Sequence, residues 1–222
     1  MRRSVEADHR RAVGSAIRDL GHAVVGNDID EATLDELRQT LRALVERIDD
    51  GPARSRAHAE FTDHVPEPHH DTGAVESYDD RPFSGQASPW GVDLSVHRRG
   101  QGVEAVVTLR AAHEGAPGRA HGGIVAGLFD DVFGFVLGVL GEPAFTGELT
   151  IRYQAPTPLH RPLRCAGRLV GRDGRKLYID GELIDATTPG EPVVARAEGL
   201  FITVNPQVFA ETMQLPAPPP DD

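Results

Sequence analysis

HGGIVAGLFDDVFGFVLGVLGEP, residues 121–143, is the most apolar stretch of this chain. Its length exceeds that of a strand, and Gly141 followed by Pro143 is a typical helix stop signal, so the stretch predicts a helix over 122–140. Asp130 and Asp131 lie in its middle, where two carboxylates would incur a large desolvation cost inside a bilayer. The stretch therefore predicts a buried core helix and not a membrane span.

Segments with the two-residue period of β-strands lie on both sides of this helix. Before it, apolar residues alternate over 92–96 and 103–109, and Arg99-Gly100 predicts the turn of a hairpin. After it, turns rich in Pro, Asp and Gly separate four predicted strands, over 147–153, 163–171, 176–185 and 193–204. An antiparallel sheet must cover one of its faces, and one long apolar helix is available. We therefore expect an α+β domain whose antiparallel sheet wraps around a long central helix.

Two amphipathic helices are predicted ahead of this domain. The first has apolar residues at helical spacing over 5–24, and the second begins with a capping box formed by Thr33 and Glu36 and ends at Gly51-Pro52. Such an N-terminal helical hairpin is too small to be stable alone, so it is expected to pack on the main domain or on a partner subunit. The predicted organisation is a hairpin over 1–50, a linker over 51–80, a main domain over 81–206 and a flexible tail over 207–222.

Composition narrows the class of protein. The chain has 39% hydrophobic and 26% charged residues, as expected for a soluble protein that does not enter a membrane. Its net charge of −11 argues against nucleic-acid binding, and the acidity belongs to the flanks, since residues 81–206 carry 13 positive and 13 negative groups. The single cysteine excludes an intramolecular disulfide, and the charged start does not resemble a signal peptide. We therefore expect a cytoplasmic protein.

The helix entry His121-Gly122-Gly123 is the first candidate for chemistry. A helix N-terminus offers unpaired N–H groups and a partial positive charge, and two glycines let another group approach the backbone closely. A carbonyl oxygen or oxyanion could bind there. Alternatively, the glycines only permit a tight strand-to-helix turn. His121 is likewise either an orienting residue of a site or a hydrogen-bonded histidine at a helix start.

The paired carboxylates are the second candidate. Adjacent helical residues point about 100° apart, and the helical spacing places Asp130 on a glycine-lined face, with Asp131 pointing away from most of it. This predicts Asp130 as the ligand-facing carboxylate, and the alternative is a structural ion pair with an arginine. Either passage of a substrate beside the helix or close packing of the sheet would explain the glycines on this face. There are four of them: Gly123, Gly127, Gly134 and Gly138.

Other chemistries lack support in the sequence. There is no Gly-x-Ser-x-Gly nucleophile elbow, Walker loop or dinucleotide fingerprint, and Cys165 is expected to be a small core residue. His69, His70 and Asp71 have no second ligand cluster at a suitable spacing, so neither a metal nor another cofactor is expected.

Residues 121–130, together with Thr146–Tyr153 and the following Gln154–Leu159, resemble the hotdog-fold acyl-CoA thioesterase superfamily, in particular its PaaI-like, phenylacetate-pathway branch. The resemblance covers roughly residues 81–206. It implies an antiparallel sheet wrapped around a central helix, a homodimer or homotetramer with active sites at subunit interfaces, and an acyl-CoA substrate. Some relatives have an amide side chain a few residues before His121, where this chain has Gly115–Gly118.

The resemblance also implies roles for individual residues in thioester hydrolysis. Asp130 would be the general base or the nucleophile, a Gly122 or Gly123 N–H would polarise the thioester carbonyl, His121 would help to orient the site, and Thr146 would assist the water. A non-catalytic acyl-CoA binding or scaffold protein is the main alternative, and a hotdog dehydratase or hydratase is another. Asp130 together with Thr146 favours the enzyme, and the His-Gly-Gly entry favours the thioesterase.

A basic stretch lies over 152–176, with seven Lys and Arg residues against one acidic residue. Such a surplus could receive the coenzyme A phosphates, whereas exposed arginines on strands are often simply solvated. Arg172, Arg175 and Lys176 are the predicted phosphate-binding residues.

Overall fold

The computed structural model of the chain describes residues 5–52 and 73–205. Helices α1 (Val5–Gly26) and α2 (Glu31–Asp49) precede the main domain. Strands β1 (Leu94–Arg99) and β2 (Gly102–Thr108) form the predicted hairpin, and helix α3 (Gly122–Leu140) has the predicted bounds. Four strands complete the domain: β3 (Ala144–Tyr153), β4 (Pro162–Asp173), β5 (Lys176–Asp185) and β6 (Val193–Thr203).

The six strands form one antiparallel sheet in the order β1-β2-β4-β5-β6-β3, so β1 and β3 are its two edges. Helix α3 packs against the sheet as its central helix, which confirms the predicted architecture. Length and composition alone would let α3 cross a membrane, but its apolar residues form the core of the domain.

The sheet can curve closely around α3 because glycines stand on its strands opposite a bulky aromatic residue of the helix. The ring of Phe133 is fully buried and faces three glycines on neighbouring strands, Gly167, Gly181 and Gly199. A Cβ atom added at Gly181 would lie 2.6 Å from Cε1 of Phe133. Real side chains do not approach so closely, so these glycines determine how deeply the helix sits in the sheet.

Helix α1 packs on the domain through a polar contact. Arg18 is buried and donates hydrogen bonds to the carbonyl oxygens of Gln86 (3.1 Å) and Ser88 (2.6 Å), and it pairs with Asp93 at 3.0 Å. Gly14 allows this approach, because a Cβ there would lie 2.5 Å from the Ala87 carbonyl oxygen. The first predicted helix therefore packs on the main domain, which was one of the two expected locations, the other being a partner subunit.

Helix α2 follows a short connection and buries none of its residues. The capping box predicted for it is wrong. The helix begins at Glu31, and Asp30 is its N-cap, with its side chain accepting hydrogen bonds from Thr33 N (2.9 Å) and Oγ1 (2.8 Å). Thr33 is thus a partner of the cap and not the cap itself.

Residues 73–93 pack on the domain. Val75 is buried, and its N–H donates to the Val96 carbonyl of β1 at 2.9 Å. The described end of the predicted linker, residues 73–80, is therefore attached to the sheet, and the rest of that linker and the predicted tail lie outside the described residues, apart from residues 51 and 52.

Candidate active site

Helix α3 is capped by the side chain of His121. The backbone of His121 is extended (φ −65°, ψ 136°), and its Nδ1 atom accepts a hydrogen bond from the Gly123 N–H at 3.0 Å. Because Nδ1 accepts, this nitrogen is unprotonated. The bond occupies the Gly123 N–H and leaves the Gly122 N–H, in the first turn, as the donor that the cap does not use.

The second contact at this helix entry comes from Tyr153, a residue that the sequence did not single out. Its hydroxyl donates to the Gly122 carbonyl oxygen at 2.8 Å. Tyr153 ends β3, 31 positions further along the chain, so no local pattern marks the contact. Gly115 supports the opposite side, because a Cβ atom there would lie 2.7 Å from Cα of His121. Glycine at position 115 therefore permits this close approach of the two backbone segments.

A groove of about 490 Å³ opens beside this helix entry. One wall comes from the loop before α3 and from its first turn, with Arg119, His121, Gly122 and Val125. The other wall is residues 153–157, which follow the edge strand β3. The groove therefore brings an arginine, a capped helix N-terminus and a tyrosine hydroxyl to one open surface.

Asp130 and Thr146 are brought together as a pair. The Thr146 hydroxyl donates to Oδ1 of Asp130 at 2.8 Å, and both residues are exposed in the single chain. Thr146 lies next to an irregularity in the pairing of β3 with β6, between Thr146 and Glu148. The pair provides a carboxylate steadied by a hydroxyl donor.

Asp131, in contrast, is part of a buried ion pair. Nε of Arg81 lies 2.6 Å from Oδ1 of Asp131, and the arginine also donates to the Asp131 carbonyl oxygen at 2.8 Å. The Arg81 guanidinium lies 4.7 Å from the Phe135 ring centroid. Burial raises the pKa of Asp131, and the neighbouring Arg81 opposes that shift. The structural ion pair that was an alternative for Asp130 belongs to Asp131.

Two of the four glycines on the predicted ligand-facing side of α3 are covered by packing. Side chains of residues 73–93 fill the two central glycine positions: a Cβ at Gly127 would lie 2.1 Å from the Phe83 ring, and a Cβ at Gly134 would meet the Arg81 guanidinium. Asp131, four residues after one and three before the other, lies on this side with Arg81. Close packing therefore explains these two glycines.

The two candidate centres are separated within one chain. Asp130 stands eight positions after Gly122 on this helix, which is about 12 Å at 1.5 Å per helical residue. A thioester carbonyl at the Gly122 N–H therefore lies beyond the direct reach of the Asp130 carboxylate of the same chain.

The predicted phosphate-binding residues surround the β4–β5 turn. Arg172 pairs with Glu142 at 2.5 Å, just beyond the end of α3, and Arg175 donates to the Thr203 carbonyl at 3.0 Å. Lys176 begins β5 and is exposed. In one chain these residues lie at the opposite end of α3 from Gly122, and phosphate binding by them stays a prediction.

The described part of the chain contains neither a cluster of metal ligands nor a reactive thiol. Among those residues, no three His, Cys, Asp or Glu side chains form a group that could hold a metal ion. The predicted candidates His69, His70 and Asp71 lie outside the described residues. Cys165 is fully buried, as expected, and burial raises the pKa of its thiol, which opposes formation of a reactive thiolate.

Comparison with known proteins relates part of the domain to a family. Residues 117–198 match the model of the thioesterase superfamily. Over these residues the hotdog domain is similar to that superfamily. The crystal structure of a thioesterase superfamily protein, RHA08564, superposes on this hotdog protein with a TM-score of 0.72 at 26% identity, over 87% of this chain and 90% of that one.

Two acyl-coenzyme A thioesterases are similar in sequence to part of this hotdog protein. The human acyl-coenzyme A thioesterase THEM5 is 32% identical over 120 residues, which are 48% of this chain and 48% of that protein. The bovine acyl-coenzyme A thioesterase THEM4 is 30% identical over 96 residues, 42% of this chain and 38% of that protein. The chain thus spans about half or less of the length of these relatives.

Proposed function

We propose that this hotdog protein hydrolyses acyl-CoA thioesters to a free acid and coenzyme A. The observation that carries the proposal is the Asp130–Thr146 pair, whose carboxylate lies on the same helix as a capped N-terminus with a spare N–H donor. The acyl-CoA thioesterase names of the relatives give the substrate class. The two parts supply what thioester hydrolysis needs, a carboxylate and an oxyanion donor.

Asp130 activates the attack on the thioester. Its Oδ1 is held by the Thr146 hydroxyl, which leaves Oδ2 to accept a proton from water as the water oxygen attacks the thioester carbon. The tetrahedral intermediate then collapses, the carbon–sulfur bond breaks, and the leaving coenzyme A thiolate takes up the proton. In the alternative route the same oxygen attacks the thioester carbon itself, the carbon–sulfur bond breaks and coenzyme A leaves as the thiolate. Water then cleaves the resulting anhydride to the free acid and the original carboxylate. The Thr146 hydroxyl oxygen can accept a hydrogen bond from the water in either route.

The Gly122 N–H stabilises the charge that develops on the thioester oxygen. His121 already occupies the Gly123 N–H, so we assign the oxyanion contact to Gly122 alone and a capping role to His121. The positive end of the α3 dipole adds to this stabilisation. Loss of one such donor lowers kcat by about 10²–10³-fold in comparable sites.

We further propose that two copies of the chain complete each site. The roughly 12 Å between Gly122 and Asp130 along one helix requires that the donor and the carboxylate come from different copies. The edge strand β3 is suited to pairing with a second copy, because it lies at an edge of the described sheet and exposes Phe145. A dimer with two equivalent sites follows, and tetramers would be pairs of such dimers.

Hydrolysis of a small panel of acyl-CoA esters tests the function directly. The panel has short, long and aryl acyl groups, and the released thiol is followed with a thiol-reactive dye. We expect turnover by the wild type and a fall of at least about 10²-fold in kcat for Asp130→Asn, which removes the carboxylate but keeps its shape.

Asp173→Asn is the matched control, because Asp173 is an exposed carboxylate at the end of β4. It is expected to behave like the wild type. If the wild type turns over none of the esters but binds them, the protein is an acyl-CoA binding or scaffold hotdog protein. If Asp130→Asn is fully active, the carboxylate assignment is wrong.

A further inference from the structure

The peptide group between Gly122 and Gly123 is held by side chains at both of its ends. Its carbonyl oxygen accepts from the Tyr153 hydroxyl at 2.8 Å, and its N–H donates to Nδ1 of His121 at 3.0 Å. The orientation of this peptide plane is therefore determined by Tyr153 and His121 together.

The direction of the Gly122 N–H depends on that fixed plane. This N–H belongs to the preceding peptide group, and the φ and ψ angles of Gly122 connect the two planes. Glycine has the widest range of backbone angles of any residue, so Gly122 by itself does not hold its N–H in one direction. A restraint on the Gly122–Gly123 peptide removes part of that freedom.

The Tyr153 ring also packs directly on Gly122. A Cβ atom at this position would lie 3.1 Å from the Tyr153 hydroxyl oxygen and 3.3 Å from Cζ. Both residues line the 490 Å³ groove. Tyr153 therefore touches the helix entry from the groove side, where a thioester would lie.

We propose that Tyr153 is a positioning residue for thioester hydrolysis, holding the Gly122–Gly123 peptide so that the Gly122 N–H points into the groove. This inference rests on the proposed function, since it names a residue of the same site. Tyr153 acts through the backbone, and the fold does not need its hydroxyl, because the residue is about half exposed. Removal of the Tyr153 hydroxyl is thus expected to lower the rate of hydrolysis more than it lowers the stability of the fold.

Tyr153→Phe removes the hydroxyl and keeps the ring. We expect kcat and kcat/KM for an acyl-CoA ester to fall together by about three- to tenfold, the amount expected for one neutral hydrogen bond, with KM nearly unchanged. Amide NMR provides a reading that does not depend on activity. The amide proton of Gly123 is expected to shift and to exchange faster with solvent.

Tyr178→Phe is the matched control, because Tyr178 is exposed on β5 and is not part of the groove. It should leave both kcat and the Gly123 amide signal unchanged. With an active wild type, the inference requires both changes in Tyr153→Phe. A kcat equal to that of the wild type, or a lowered kcat with an unchanged Gly123 amide, would overturn it.

The two proposals fail in different ways. A wild type that turns over no acyl-CoA ester refutes the thioesterase, and the Gly123 amide then decides alone whether Tyr153 holds the peptide. A faster exchange in Tyr153→Phe would support the positioning role, and an unchanged exchange rate would contradict it.

Discussion

Replacing Gly181 by alanine tests the packing that lets the sheet wrap around α3. The new Cβ would lie 2.6 Å and 2.9 Å from two atoms of the Phe133 ring and 2.9 Å from the Ala166 carbonyl oxygen. Neither neighbour can retreat freely, because Phe133 is fully buried and the carbonyl belongs to the adjacent strand. Such overpacking costs about 1–3 kcal/mol.

The alanine also brings a gain, because glycine in a strand costs about 0.5–1 kcal/mol relative to alanine. From the middle of these two ranges, the net expectation for Gly181→Ala is a loss of about 1 kcal/mol in the free energy of unfolding. For a chain of this size, each kcal/mol corresponds to about 2–4 °C in Tm.

Urea and thermal unfolding of Gly181→Ala and Gly171→Ala measure this difference. Gly171 lies on β4, where an added Cβ would make only ordinary contacts, 3.6 Å and 3.8 Å, with the exposed Tyr178. The control is expected to be neutral or slightly stabilising. Equal stability of Gly181→Ala and the wild type, or an equal loss in both variants, would refute the packing argument.

Three further predictions concern the surroundings of the site. Burial lowers the pKa of His113 to about 4, so the contribution of this neutral histidine to the free energy of unfolding should be fully present above about pH 6.5 and should be lost as the pH falls towards 4. Unfolding measured across this pH range should show a weaker decline for His113→Asn. Arg81→Ala should destabilise the fold by about 3 kcal/mol in urea unfolding, because Asp131 would remain buried without its partner, and a loss below 1 kcal/mol would argue against the pair. Gly115→Ala should displace His121 and lower kcat in the thiol-release assay at nearly unchanged Tm, so full activity would contradict the close contact.

The fold was predictable because its central helix is marked at both ends. The apolar run from Gly122 is too long for a strand, and Gly141 then stops it, so the predicted and observed bounds of α3 agree. The strands follow a two-residue period between turns, and their bounds agree to within three residues. The start of α2 was placed wrongly because Asp30 and Thr33 are both good capping residues, and only the observed bonds show which one caps.

The carboxylate and its hydroxyl partner were named on different grounds. The helix pattern pointed to Asp130 and the family resemblance implied Thr146, and the two side chains do form a hydrogen bond. The glycine face could not discriminate between the adjacent carboxylates, because Asp131 has mirror-image spacings to Gly127 and Gly134. The contact that settles it comes from Arg81, 50 positions earlier, and sequence periodicity carries no information on such a partner.

A mixed-subunit experiment tests the shared thioesterase site most directly. Gly122→Pro removes the N–H donor, and proline suits both the first position of a helix and the extended backbone of His121 before it. Gly122→Ala is the control, because it adds the same Cβ beside Tyr153 but keeps the N–H. Asp130→Asn supplies the complementary defect.

Gly122→Pro and Asp130→Asn are each expected to be nearly inactive alone, whereas Gly122→Ala keeps most of its activity. When the two inactive chains are unfolded together and refolded in equal amounts, half of the dimers are mixed and one of their two sites is intact. The account predicts recovery of about a quarter of the wild-type acyl-CoA hydrolysis. No recovery, with mixed dimers shown to form, would contradict a site built from Gly122 of one copy and Asp130 of the other.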